Sequence, residues 1–204
     1  MNAEPRAPDR ERRTWLLWIE RALLCLGAAT AAWCAAVWFE ARYTQSRPVG
    51  DLVVTQRLPG DAGNPRARAA AYVPNGAVIA RLDAPSLQMS TAVLEGSDDA
   101  ILNRGAGHIE GTAFPGQRGN IGIAGHRDTI FRPLRRVRIG DTLALSTRDR
   151  VYRYRISKTL IVDPDDVQVL EPMRQPTLTL VTCYPFDFVG HAPRRFIVQA
   201  QLVE

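Results

Sequence analysis

The sequence predicts a mainly β domain that follows one N-terminal transmembrane helix. Three observations support this fold class. A run of 18 residues without charge, 22–39, is about as long as a helix that crosses the hydrocarbon core of a membrane. Beyond residue 76 the chain consists of about eight short apolar runs separated by turn residues. Helical periodicity is scarce there, and this number and spacing of runs is typical of a β-barrel or a sandwich.

The elements of this domain are predicted in order from its apolar runs. Residues 151–156 alternate, with Tyr and Ile on one face and Arg on the other, as a half-buried strand does. Ser97 is predicted as the N-cap of a helical turn over 97–102, and 139–141 as a turn between strands. The remaining predicted strands cover 77–82, 91–94, 121–124, 142–145, 177–182 and 196–202.

The charge pattern around the N-terminal run predicts how it is oriented. Five arginines precede or touch the run on its N-terminal side, against three shortly after it. This bias favours an inside N-terminus, and tryptophans near both ends suit the membrane interfaces. The small residues at 29–31 also fit a signal-peptide cleavage site, so that alternative stays open. A buried soluble helix is disfavoured because the run has no polar face.

Four segments follow from these patterns. We predict a cytoplasmic tail (1–13), a transmembrane anchor (14–39), an extracytoplasmic spacer (40–75) and a folded domain (76–204). The spacer is rich in Pro, Gly, Arg and Ala, a composition typical of linkers. The predicted protein is therefore a single-pass protein of the cell membrane, and its domain lies outside the cytoplasm.

The composition gives no indication of a nucleic-acid partner, a metal or a cofactor. The 204 residues carry a formal net charge of +5, and Lys158 is the only lysine. The densest arginine cluster, 132–138, alternates with Leu and Val and contains no aromatic residue. The histidines and Cys183 lack the close spacing of zinc modules. We therefore predict neither nucleic-acid binding, nor a metal site, nor a cofactor.

The candidate nucleophile is Cys183, the one cysteine outside the uncharged run. It ends the predicted strand 177–182, and Pro185 follows, so it is expected at a strand end beside a loop. An unpaired thiol in an oxidising compartment is a liability unless it is used, although a buried inert thiol is the alternative. A nucleophilic thiol needs a histidine partner, and spacing alone leaves three open: His108, His126 and His191.

An arginine pair at the start of the last predicted strand supplies candidate oxyanion donors. Arg194 and Arg195 are neighbours, so only one of them can face the same side as Cys183. The alternative is a solvated basic pair that protects a strand edge from aggregation.

Three segments, in this order, resemble the signature segments of the sortase family. Residues 123–129, IAGHRDT, resemble the histidine segment. Residues 178–183, LTLVTC, resemble the TLxTC cysteine signature, and residues 193–198, PRRFIV, resemble the arginine strand. The GHRDT and CYPF variants look most like class D or E sortases, including Gram-negative forms. With the predicted anchor and spacer, the resemblance covers the whole chain.

The resemblance implies an eight-stranded β-barrel with short helices and a membrane-anchored cysteine transpeptidase. Such an enzyme cleaves an LPxTG-like C-terminal sorting signal of an exported protein after the threonine and passes the acyl group to an amine acceptor. Carried over residue by residue, Cys183 is the nucleophile and His126 the proton-transfer partner. Arg195, which has the Arg-x-Ile-Val spacing, is the oxyanion donor and positions the substrate. Arg194 is the alternative candidate for this role.

Three residues are expected to contact the substrate: Thr182, His108 and Arg194. Thr182 precedes the nucleophile, and its hydroxyl or its backbone is expected to help orient the substrate. His108 is expected in a loop that meets the incoming peptide or amine. Two other functions stay open: a thiol hydrolase or peptidase that uses water as acceptor, and a membrane-tethered binding module without turnover.

Overall fold

The computed structural model describes residues 8–46, 73–188 and 190–203. The chain divides into two compact units, 1–42 and 43–204. Most of the predicted spacer and the first half of the predicted tail lie outside the described residues, so the four-segment division stays a prediction.

The first unit consists of one long helix, α1, Pro8–Ser46. Its segment Thr14–Glu40 has a mean hydropathy of 1.8, and its 27 residues extend about 40 Å. The side chains of Thr14–Glu40 are exposed, and they include many large apolar ones. By length and composition this segment qualifies as a membrane span, as a signal sequence would also do, and it coincides with the predicted anchor.

The second unit is a closed barrel of eight strands, which confirms the mainly β prediction. The order around the barrel is β1-β2-β3-β4-β7-β8-β6-β5. The pairs β2–β3 and β4–β7 are parallel, and the other six are antiparallel. The strands are Val78–Ala84 (β1), Met89–Glu95 (β2), Ala106–His108 (β3), Asn120–Ala124 (β4), Thr142–Ser146 (β5), Val151–Val162 (β6), Thr177–Tyr184 (β7) and Arg194–Leu202 (β8).

Among the described residues of this unit, helical structure is limited to four short pieces. They are the α-helix Asp99–Leu102 (α2) and the 3₁₀ helices Pro85–Leu87, Arg132–Arg136 and Val167–Leu170. Asp98, not the predicted Ser97, is the N-cap of α2, because its carboxylate accepts the Ile101 amide at 3.0 Å. Hydrogen bonds from Ile101 and from the Asn75 side chain lower the pKa of this carboxyl group.

The core fills the barrel with one face of each strand. Leu178 and Leu180 of β7 and Val198 and Ala200 of β8 belong to the same buried cluster. The residues that alternate with them face the outside of the barrel. The predicted alternation of 151–156 is confirmed, since Tyr and Ile are buried or half-buried while the arginines are exposed.

Two strands differ from the prediction. β3 is only three residues long, and it places His108 in a strand where a loop was expected. β6 continues to Val162, beyond the predicted end at residue 156. The prediction ended too early because a register shift between Ile156 and Lys158 interrupts the alternation. Such a bulge removes the period-two pattern by which a strand is recognised in sequence.

Candidate active site

The candidate nucleophile lies near the end of β7, between two strands that carry its predicted partners. β7 pairs with β8 in antiparallel register, and Cys183 is directly opposite Arg195. Directly opposed residues share a face of the sheet, with Cβ atoms about 5 Å apart. Cys183 is a half-buried free thiol. The pairing therefore brings the thiol and the Arg195 side chain to the same outer face of the barrel.

The two arginines face opposite sides of β8. Arg195 is half-buried, and its Nη1 donates to the carbonyl oxygens of Ala192 at 3.3 Å and Arg194 at 3.1 Å. Arg194 is opposite Tyr184, and its exposed side chain lies 3.7 Å from the Asp163 carboxylate. Arg194 is thus on the other face from Cys183.

The segment that carries His126 is tied to β7. β4 runs parallel to β7 and pairs Ala124 with Val181. The next residue, Gly125, donates its amide to the Val181 carbonyl at 3.1 Å, and its own carbonyl accepts the Thr182 hydroxyl at 2.7 Å. His126 follows at once and is half-buried. By strand alternation His126 enters on the outer face, as Cys183 does.

Gly125 meets a close-packing requirement. A Cβ atom there would lie 2.7 Å from Cδ2 of Phe131, whose ring is fully buried. The Phe131 amide donates to the His126 carbonyl at 2.9 Å and closes the turn after the strand. Gly125 therefore lets the backbone pack closely against the core, and His126 follows it on the outward side.

Residues 82–203 match the family model described as Sortase domain. The chain belongs to the sortase family. Among curated relatives it is 37% identical over 123 residues to Sortase D of Bacillus subtilis, which is 60% of this chain and 62% of that protein. It is 32% identical over 166 residues to Sortase SrtE1 of Streptomyces coelicolor, or 72% of this chain and 46% of that one. The matches thus span less than two thirds of these relatives' own length.

Solved structures of sortases superpose on this domain. A Clostridium perfringens Sortase D5 transpeptidase is 33% identical, with a TM-score of 0.60 over 65% of this chain and 83% of that one. Sortase E1 of Streptomyces coelicolor, solved with a tripeptide in its active site, is 30% identical, with a TM-score of 0.57 over 62% and 88%. The likeness to class D and E members agrees with the sequence resemblance.

The Thr182 side chain of this sortase domain is not available to a substrate. It is 2% exposed, and its hydroxyl is used in the hydrogen bond to the Gly125 carbonyl. The hydroxyl instead connects the cysteine strand to the histidine segment, so a role of Thr182 in orienting the substrate stays a prediction for its backbone.

The expected substrate contact of His108 is wrong, because this side chain is buried in the barrel. It is 1% exposed, and its Nδ1 lies 2.8 Å from a carboxylate oxygen of Glu95. Nε2 lies 3.1 Å from the Ala113 carbonyl oxygen and 3.1 Å from the Thr112 hydroxyl. The His108–Glu95 pair thus joins β2 to β3 and holds the start of the following loop.

The sequence did not reveal the polar residues that cover the outer face of β4, β7 and β8. Asn120 accepts the Thr179 hydroxyl at 2.7 Å and donates to the Val169 carbonyl at 2.9 Å. Gln199 donates to the same carbonyl at 3.2 Å. These contacts hold the β6–β7 connection against the face that carries Cys183. Threonines alternating with leucines in β7 were the available signal for a polar outer face.

Two further side chains lie in the connections that follow β4 and β7. His191 is exposed in the β7–β8 connection. Arg127, which received no role from the sequence, donates from Nη2 to the carbonyls of Phe188 at 2.7 Å and Gly190 at 2.8 Å. In the described part of the chain, no group of three His, Cys, Asp or Glu side chains is arranged to hold a metal ion.

Proposed function

We propose that the chain is a cysteine transpeptidase in which Cys183 is the nucleophile, His126 transfers protons and Arg195 stabilises the oxyanion. The observation that carries the proposal is the pairing around β7: Cys183 is opposite Arg195 on one side, and the chain leading to His126 is bound to the other. Nucleophile, base and oxyanion donor are the three groups that acyl transfer by a thiol requires.

The reaction begins with the Cys183 thiolate and the His126 imidazolium. The thiolate attacks the carbonyl carbon of the scissile bond, and the carbonyl oxygen becomes an oxyanion. Arg195 donates to that oxygen, and its guanidinium already hydrogen-bonds to backbone carbonyl oxygens in the free protein. His126 protonates the leaving amine, the C–N bond breaks, and a thioester remains. An incoming amine gives its proton to His126, attacks the thioester and releases the thiolate.

The substrate of this reaction is proposed to be an exported protein with an LPxTG-like C-terminal signal, cleaved after the threonine. Residues 76–204 form the catalytic domain. The apolar segment Thr14–Glu40 is proposed to anchor it in the cell membrane as a single span with its N-terminus inside. Family membership and the length of this helix support the location.

Mass spectrometry of the intact protein tests the proposal. The full chain in detergent is incubated with an LPxTG peptide, and we expect a thioester adduct on the native protein and on Cys34→Ala but none on Cys183→Ala. Cys34 is the matched control, because it is a free cysteine of α1. An adduct on Cys183→Ala, or none on the native protein with any LPxTG-like peptide, contradicts the proposal. An added amine then separates transfer from hydrolysis by the mass of the product.

A further inference from the structure

Arg127 connects the segment that carries His126 to the connection between β7 and β8. Its Nη2 donates two hydrogen bonds, to the carbonyl oxygens of Phe188 at 2.7 Å and Gly190 at 2.8 Å. The guanidinium carbon lies 5.9 Å from the centre of the Phe188 ring, within the range of a cation–π contact. One side chain therefore holds two carbonyls and one ring of the same connection.

The same connection also binds the proposed oxyanion donor. Arg195 donates to the carbonyl oxygen of Ala192 at 3.3 Å. Arg127 thus binds the carbonyls of residues 188 and 190, and Arg195 binds the carbonyl of residue 192. This connection leads along the chain from Cys183 to Arg195. A shift of the connection would change where the Arg195 guanidinium lies relative to the thiol.

The partial burial of the Arg127 guanidinium distinguishes it from an ordinary surface contact. Its Nη1 is buried, and among the described residues no hydrogen-bond partner accepts from it. A buried N–H without a partner loses its hydration without compensation, so this guanidinium is kept at a cost. By contrast, Arg135 of the 3₁₀ helix Arg132–Arg136 contacts the same connection through an exposed ion pair with Asp187 at 3.6 Å. Exposed pairs of this kind contribute little.

We infer that Arg127 is a positioning residue of the proposed transpeptidase, which fixes the β7–β8 connection and thereby directs Arg195 toward the oxyanion. The inference rests on the proposed function. It predicts that the effect of Arg127 on the reaction passes through Arg195 and does not depend on the charge of the surface.

A double-mutant cycle tests the inference. The rate of thioester formation in a single turnover is measured for the native full chain, Arg127→Ala, Arg195→Ala, the double variant and the matched control Arg135→Ala. We expect Arg127→Ala to lower the rate at saturating peptide by about tenfold or more, as misplaced catalytic groups do. Arg135→Ala should stay within about twofold of the native rate. In the Arg195→Ala background the Arg127 substitution should change the rate by less than about twofold.

Three results would overturn the inference. These are equal losses from Arg127→Ala in the native and Arg195→Ala backgrounds, a loss no larger than that of Arg135→Ala, and a rise in the peptide concentration at half saturation with the maximal rate unchanged. If Arg127→Ala does not fold by thermal melting, Arg127→Lys and Arg127→Met replace it in the cycle. Lysine, which still donates to carbonyls, should retain more of the rate than methionine, and equal rates contradict the inference. Absence of any thioester on the native protein refutes the proposed function instead.

Discussion

Replacing Gly125 with alanine tests whether close packing behind the histidine segment controls its position. The new Cβ would lie 2.7 Å from Cδ2 of Phe131 and 2.9 Å from two further ring atoms. Carbon atoms in contact prefer about 3.5–4.0 Å, so the shortfall is roughly 1 Å. Phe131 is fully buried, and the Thr182 hydroxyl holds the Gly125 carbonyl at 2.7 Å. Because the ring is packed in the buried core, we expect the backbone before His126 to move.

The expected size of the effect follows from this shortfall. Overpacking of a core costs about 1–3 kcal/mol, which lowers the thermal midpoint of a domain of this size by roughly 2–12 °C. A displacement of a catalytic group by about 1 Å costs on the order of 10²-fold in rate. Gly125→Ala should therefore remain folded at 25 °C and form the thioester about a hundred times more slowly than the native protein.

The assay combines thermal melts with single-turnover thioester formation. The matched variant is Gly125→Ala with Phe131→Leu, in which the smaller side chain makes room for the new methyl group. We expect this second substitution to restore part of the rate lost in Gly125→Ala, while Phe131→Leu alone lowers stability and changes the rate little. The reasoning is refuted if Gly125→Ala keeps a native rate, or if Phe131→Leu restores none of the lost rate.

Three other predictions concern single side chains. Arg195→Ala should lower transpeptidation on the order of 10²-fold while Arg194→Ala stays near the native rate, and steady-state kinetics in the reverse order would contradict the pairing across β7 and β8. Thr182→Val leaves the Gly125 carbonyl without its donor and should lower the free energy of unfolding by about 1–3 kcal/mol, whereas Thr182→Ser should not; equal thermal melts argue against this hydrogen bond. Burial raises the pKa of Tyr154 from 10.0 to about 12, so the unfolded state loses this proton first and stability falls by about 2 kcal/mol as the pH rises from 10 to 12. Denaturant unfolding of Tyr154→Phe should show a smaller loss over that interval, and an unchanged loss would exclude this cause.

The barrel could be predicted because most strands are visible in the sequence as short apolar runs, and one is visible as an alternation of apolar and charged residues. The apolar runs and the Tyr-Arg alternation of 151–156 depend only on local sequence, and the structure follows them. β3 was missed because three residues carry no period, and the second half of β6 was missed because a bulge reverses its pattern. Both failures come from pairing with distant strands, which local sequence does not record.

The candidate site shows the same division between local and distant information. The strand-end position of Cys183 could be predicted, and the opposite orientation of Arg194 and Arg195 follows from alternation alone. Which arginine shares the face of Cys183 depends on the register between β7 and β8, a property of two strands. His108 was misplaced for a related reason, since its partner Glu95 lies on another strand. The catalytic roles themselves stay a prediction that the kinetic experiments above address.

The pairing of β8 has a consequence for vectorial folding. β8 pairs with both β6 and β7, and it is the last strand in chain order. In a chain that emerges N-terminus first, β4 and β7 can pair before β8 is available, so the histidine segment and Cys183 meet early. Arg195 arrives only with the strand that also closes the barrel. Closure of the barrel and completion of the proposed catalytic set are therefore one event, and a half-emerged chain carries the Cys183 thiol without Arg195.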